Sequence, residues 1–260
     1  MRSLAAGWRI QKRVISALMM RELITRFGRE NIGFLWIMAE PLLFAVLVGV
    51  IWQFMKGPEE HGIGIIAFVS SGYIPLVMFR TTMSRAVRVF TANGSLLYHR
   101  QVTLVDLILV RFIIELIGGM MAYVAIATVL ILLDLFPFPA DLGALLFGWC
   151  LYGLFTLGVA LVMAPLSEVS ETVEKFLPVT TYLMVPFSGT FNLTSWLSPN
   201  VRGIMLYSPP VSGMEVMRYG IWGDKITPYY DIPYAIAASF GLILIGLALC
   251  RMIRRVLIVE

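Results

Sequence analysis

From Leu104 to Leu133 the chain runs for thirty residues with only three charged side chains among them, Asp106, Arg111 and Glu115. A helix needs about 20 apolar residues to cross the hydrocarbon core of a bilayer, so a run of this length reads as a membrane span. The chain has 260 residues, 59% of them hydrophobic and 14% charged, and a mean hydropathy of +0.85, which excludes an ordinary soluble domain. Five further apolar runs, at 34–55, 62–78, 142–165, 176–191 and 234–252, give six candidate spans in an all-α integral membrane protein. Those at 62–78 and 176–191 are short and broken by glycine or proline. The 104–133 run is long enough to tilt, or to begin in the water layer. The first long apolar run starts at Phe34 and is too long and badly flanked for a cleavable leader, so it is expected to stay in the bilayer.

Lysine and arginine set the orientation. Arg2, Arg9, Lys12, Arg13, Arg21, Arg26 and Arg29 precede the first span; Arg80, Arg85, Arg88 and Arg100 lie between the second and third; Lys175 lies between the fourth and fifth; Arg251, Arg254 and Arg255 follow the sixth. The opposite loops hold only Lys56, Arg202, Arg218 and Lys225, so both termini are expected in the cytosol. Residues 1–30 read as a helix lying on the inner membrane face, with Trp8, Ile15, Leu18 and Met19 on one side and Arg9, Lys12, Arg13 and Ser16 on the other. The plainer reading is an ordinary positively charged flank. A turn at 28–31 then leads into the first span. Segment 190–233, with its prolines and the aromatics Trp196, Tyr207, Tyr219, Trp222, Tyr229 and Tyr230, is too apolar for a free loop. Short helices dipping back toward the bilayer are expected there, because irregular backbone at membrane depth must pack on protein or line a watery cavity.

Charges inside a span need a reason. Arg111 and Glu115 stand four residues apart, within reach of each other on a helix, and their stripe continues through Gly118, Ala122 and Ala125. One reading is a structural ion pair near the interface, where long side chains snorkel. The other is a solvated translocation path, since charges at membrane depth usually face a bundle interior or water. Glu40, just before Pro41 in the first span, raises the same question, with Pro41 expected to kink or unwind that helix.

Several chemistries find no support. No G-x-x-x-x-G-K-[ST] phosphate loop occurs, and Gly62 to Ala67 fits a loose dinucleotide pattern only at the mouth of a span. His61 and His99 are too far apart in the topology for a metal pair, and Cys150 and Cys250 read as packing residues. The glycosylation sequons at Asn93 and Asn192 are discounted. Glu168, Glu171 and Glu174 recur every three residues before Lys175, as a solvated face or as a docking surface for a cytosolic partner. The loop at 80–103, with a short helix over 86–100, is what a separate motor would grip.

The stretches Met20-Arg-Glu-Leu-Ile-Thr-Arg-Phe27, Asn31-Ile-Gly-Phe-Leu-Trp36 with Glu40-Pro41, Leu96-Leu-Tyr-His-Arg-Gln-Val-Thr103, and Ser195-Trp-Leu197 ahead of Ser208-Pro-Pro-Val211 together resemble the permease subunits of ATP-binding-cassette exporters of capsular polysaccharide, of the ABC-2 type. The resemblance covers essentially the whole chain, read as one transmembrane domain, 1–260. Ser198 departs from it, standing where the family often has proline directly after Trp-Leu. The resemblance implies a transport subunit rather than an enzyme, in the bacterial inner membrane. It also implies a homodimer enclosing a canal for lipid-linked polysaccharide, with ATP and magnesium held by two cytosolic ATPase subunits, no cofactor in this chain, and no nucleic acid partner.

Leu96, Tyr98, His99 and Arg100 would face the ATPase, and the segment around Trp196 would gate the periplasmic side, where an adaptor leads to an outer-membrane polysaccharide exporter. Glu40, Arg111, Glu115, Trp196, Tyr207, Arg218, Tyr219 and Trp222 would line the canal or gate: aromatic faces suit sugar rings, and Arg111, Arg202 and Arg218 offer cationic stations to an acidic polymer. Interfacial tryptophan and tyrosine are also ordinary membrane anchors. Export of lipid-linked O-antigen or teichoic acid shares the architecture. A membrane-embedded glycosyl or phosphatidyl transferase built on Asp106 and Glu115, and a non-catalytic assembly scaffold, are the rivals from other classes.

Overall fold

The computed structural model describes residues 4–27, 33–57, 59–97 and 102–257. They form α1 (Leu4–Phe27), α2 (Gly33–Lys56), a hairpin of β1 (Glu59–Glu60) and β2 (Ile63–Gly64), α3 (Ile65–Ala86), the single turn α4 (Gly94–Leu97), α5 (Leu104–Leu132), α6 (Leu142–Val169), α7 (Glu171–Phe187), α8 (Pro199–Leu206), α9 (Pro209–Trp222) and α10 (Ile232–Leu257). Among the described residues, all regular structure apart from that hairpin is helical. Among the described residues, four helical stretches are long and apolar enough to cross a membrane: α3, α5, α6 and Ile232–Arg254 of α10. The turn expected at 28–31 lies outside the described residues.

The apolar runs and the helices coincide best where the chain carries its own start signal. Helix α5 begins at Leu104 because Thr103 and Asp106 form a capping box: Asp106 N donates to Thr103 Oγ1 (3.3 Å) while Thr103 N donates to Asp106 Oδ2 (2.8 Å). At 1.5 Å per residue this helix is about 44 Å long, well beyond the ~30 Å hydrocarbon core. Helix α6 starts where Asp141 accepts from the N–H groups of Gly143 and Ala144, and α7 where Ser170 accepts from Val173.

The 62–78 run resolves differently. His61 and Gly62 both adopt positive φ, 54° and 75°, which closes the β1–β2 hairpin before any helix forms. Helix α3 therefore begins at Ile65 and runs past residue 78 to Ala86, taking in the first residues of the loop expected at 80–103. Its polar end is tolerated because the Thr81 and Thr82 hydroxyls bond back to helix carbonyls and Arg85 pairs with Glu115. Helix α7 spans 17 residues across Pro178 and Pro186, beginning earlier than the 176–191 run.

Helix α6 is the centre of the bundle, and α9 lies against its first half with the two backbones touching. A Cβ on Gly220 would stand 2.3 Å from Leu145 N, and one on Gly148 would stand 2.4 Å from Met217 N. Small residues at both faces permit this approach, the usual means of close helix packing in membranes. As a result α9 is buried except at Pro209 and Tyr219, although it belongs to the segment connecting α7 to α10. Helix α10 covers the rest of α6, and there a Cβ on Gly246 would stand 2.5 Å from Leu161 Cβ. Cys250 is buried in that packing, whereas Cys150 lies on the outward face of α6, which an apolar run cannot distinguish from the inward one.

Candidate functional site

Two clusters of interactions stand at opposite ends of α3. The first gathers around Trp196, the last residue of a 3-10 turn at Thr194–Trp196. That turn is pinned by Arg202 of α8, which donates from Nε to the Thr194 carbonyl (2.9 Å) and from Nη2 to the Leu197 carbonyl (3.2 Å), with its guanidinium over the Tyr229 ring at 4.0 Å. The Trp196 ring stacks on His61 of the hairpin (centroids 5.2 Å) and leans on Phe68 of α3 (4.7 Å). Phe68 also meets Trp222 (6.3 Å), which in turn meets Phe136 (6.4 Å).

Beneath this aromatic layer lie two wholly buried charges of α9. Glu215 accepts from Thr194 N (3.0 Å) and Thr194 Oγ1 (2.8 Å). Arg218 donates from Nη1 to the carbonyls of Gly189 (2.6 Å) and Asn192 (3.0 Å) and from Nη2 to that of Thr190, and its guanidinium lies 3.9 Å from the Phe68 ring centroid. A buried charge is tolerated only when its hydrogen-bonding capacity is largely used, and these two residues spend theirs on the loop that follows α7. Gly72 of α3 makes the close fit possible, because a Cβ there would stand 2.4 Å from the Thr190 carbonyl oxygen.

The residues expected at a canal or gate therefore divide. Trp196 is half-buried and Trp222 fully packed, Tyr219 is half-buried against the core, and Tyr207 stands 76% exposed. Arg218, expected to offer a cationic station, has its guanidinium enclosed by protein. Sequence reasoning did not single out Phe68, Glu215 or Thr194 here. Nor did it place Tyr234, whose hydroxyl donates to the Tyr207 carbonyl (2.9 Å) while the two rings meet edge to face.

The second cluster, at the other end of α3, is polar. Arg85 Nε pairs with Glu115 Oε1 of α5 at 2.7 Å, Arg111 of α5 pairs with Glu22 of α1 at 3.6 Å, and Arg111 also donates to the Arg85 carbonyl. Gln11 of α1 donates to Asp106, and Arg21 of α1 donates to Asn93, whose own amide donates to the Val89 carbonyl (2.8 Å). From the opposite side Glu168 accepts from Phe90 N, Thr91 N and Thr91 Oγ1, while Glu174 pairs with Arg88 at 2.7 Å.

All three charges of the α5 run thus meet partners on other elements. Two of the three recurring glutamates brace the 87–97 loop, while Glu171 pairs at the surface with Lys175. Leu96 packs on the core from α4; Tyr98, His99, Arg100 and the side chain of Glu40 lie outside the described residues. No group of three metal-ligating side chains occurs among the described residues.

The model of the ABC-2 type transporter family matches residues 13–222 of this chain. The capsule polysaccharide export inner-membrane protein CtrC of Neisseria meningitidis serogroup B is 39% identical over 240 residues, covering 92% of this chain and 91% of that protein. The corresponding protein BexB of Haemophilus influenzae is 34% identical over 93% of this chain and 91% of its own length. The polysialic acid transport protein KpsM of Escherichia coli is 23% identical over 95% of both chains. A family match over most of the length, together with relatives this similar from end to end, establishes that the chain belongs to the ABC-2 type transporter family.

Proposed function

We propose that this chain is the permease subunit of an ATP-driven exporter that moves lipid-linked capsular polysaccharide across the bacterial inner membrane. It works as a homodimer enclosing a canal, with both termini cytosolic, six spans, and ATP hydrolysed by two separate cassette subunits. The observation that carries this reading is the 39% identity to a capsule polysaccharide export inner-membrane protein over more than nine-tenths of both chains.

The two clusters take complementary roles in this reading. The braced loop at 87–97, tied to α1 by Arg21 and to the α6–α7 junction by Glu168 and Glu174, is a firm handle for a cytosolic motor. The layer around Trp196 is the gate on the periplasmic side, where an adaptor and an outer-membrane exporter receive the polymer. Exposed Tyr207, Tyr229, Tyr230 and Tyr234 offer ring faces on which sugars pack with little directional demand. Export is favoured over a transferase because the relatives are named as export and transport proteins, and because Asp106 and Glu115 are both used in contacts that join helices, to Gln11 of α1 and Arg85 of α3.

Deleting the gene in its own host and locating the polysaccharide by fractionation and sugar analysis tests the proposal. Full-length lipid-linked polymer retained in the cytosol is the expected result. Loss of the polymer itself would point to synthesis rather than export.

A further inference from the structure

Helix α3 is the element common to both clusters. At one end Arg85 engages Glu115 and its carbonyl accepts from Arg111, directly before the braced loop at 87–97. At the other end Phe68, only 2% exposed, lies among Trp196, Trp222 and the Arg218 guanidinium, all within ring-contact distance. One turn away Gly72 sits so close to Thr190 and Arg218 that not even a methyl group fits between α3 and the loop after α7. The hairpin leading into α3 brings His61 into stacking contact with the Trp196 ring, centroids 5.2 Å apart. Between the two ends, α3 is one continuous helix across Pro75, whose missing N–H leaves the Ser71 carbonyl without its helical partner immediately beside Gly72.

Displacement of a packed helix moves the side chains wedged against it, because close-packed contacts repack rather than stretch. From this arrangement we propose that Phe68 is the positioning residue of the Trp196 gate, through which α3 carries movement at its Arg85 end to the outer face. The proposal rests on the transporter reading above and adds to it a named route between motor and gate. Trp196 stands at the far end of α3 from Arg85. Its ring contacts both His61 and Phe68, which flank the start of α3, so a shift of α3 along its axis changes the seat of the tryptophan.

The test uses the full transporter, assembled with the cassette ATPase of its own host in membranes, carrying Ser195→Cys as a reporter beside Trp196 and Cys150→Ser to remove the exposed native thiol. The labelling rate of the introduced thiol by a membrane-impermeant maleimide is measured with and without ATP, normalised to assembled complex. In the parent a several-fold change on adding ATP is expected. Phe68→Leu, which keeps an apolar filling but removes the ring, should abolish that change, and Phe68→Tyr, which keeps the ring, should restore it.

Arg85→Gln at the far end is the second variant, read whether or not Phe68→Leu assembles, and it should also flatten the response. A response of parental size in both Phe68→Leu and Arg85→Gln would overturn the route while leaving the transporter reading intact. A parent whose labelling ignores ATP would remove the moving gate itself, and with it this proposal.

Discussion

Replacing Arg218 with methionine removes three hydrogen bonds to the carbonyls of Gly189, Thr190 and Asn192 and the cation over Phe68, all in a fully buried setting. Bonds from a charged donor contribute roughly 1.5–3 kcal/mol each, but methionine also relieves the cost of enclosing a guanidinium, so the sum of bonds overstates the loss. What remains is Glu215, one turn away on α9 and fully buried, whose carboxylate loses its nearby compensating cation. Leaving buried carbonyls without their donor costs about 1–3 kcal/mol, and that is the destabilisation expected here, with Glu215 adding to it through the loss of a neighbouring positive charge. Unfolding of the purified chain in detergent micelles, followed by tryptophan fluorescence that includes the nearby Trp196 and Trp222, measures it. Adding Glu215→Gln should recover part of the loss, because the uncompensated carboxylate is then gone. An Arg218→Met protein unfolding at the parental midpoint, or a double variant showing the plain sum of the single losses, would refute the reasoning.

Three further outcomes follow from the packing and the caps. Gly220→Ala drives a methyl group into the Leu145 backbone and forces α9 away from α6, costing roughly 1–3 kcal/mol by the same unfolding assay, whereas Gly203→Ala in α8, where a Cβ meets open space, should be neutral or stabilising by up to about 1 kcal/mol. Thr103→Ala removes the capping hydroxyl of α5 and should lower stability by about 1 kcal/mol, seen also as faster amide exchange in the first turn of that helix. Glu115→Gln disrupts an ion pair whose arginine is 41% exposed, so its effect on the unfolding midpoint should be at most about 1 kcal/mol, even though the pair joins α3 to α5.

Hydropathy alone located the longest membrane helices, because a run of apolar residues near bilayer length has few alternatives; α5 and α6 begin at the first residues of the 104–133 and 142–165 runs, whereas the shorter 62–78 and 176–191 runs misplaced the ends of α3 and α7. The sequence reading passed over the capping box at Thr103-x-x-Asp106, although its spacing is a local signal, and it accounts for Asp106 at the start of α5. The spacing of Arg111 and Glu115 allowed a contact within one helix. Their partners on α1 and α3 could not be read from it, since contacts between helices depend on rotation and tilt that one-dimensional spacing does not encode. The same holds for Glu168 and Glu174, whose regular recurrence suggested a free acidic face while the fold turns them onto the 87–97 loop.

Segment 190–233 hid the most. Its prolines and aromatics marked short helices, yet nothing in the local pattern showed that α9 would be buried with two charges. The available signal was the glycine pair Gly213 and Gly220, seven residues apart, together with Gly148 on α6: small residues spaced to let two backbones meet. Phe68 carried no local signal at all, because its surroundings come from the 194–196 turn and α9, both distant in sequence.

In the proposed function this chain, driven by a separate ATPase, carries a lipid-linked polysaccharide through the membrane. Vesicles reconstituted with the purified chain and the cassette ATPase of its host, with lipid-linked capsular polymer in the outer leaflet, test it directly by the fraction of polymer that becomes resistant to an added glycan hydrolase. The account predicts protection that grows with time, requires ATP and is lost when the permease chain is left out. Active ATP hydrolysis by the assembled complex with no growth in protected polymer would contradict it.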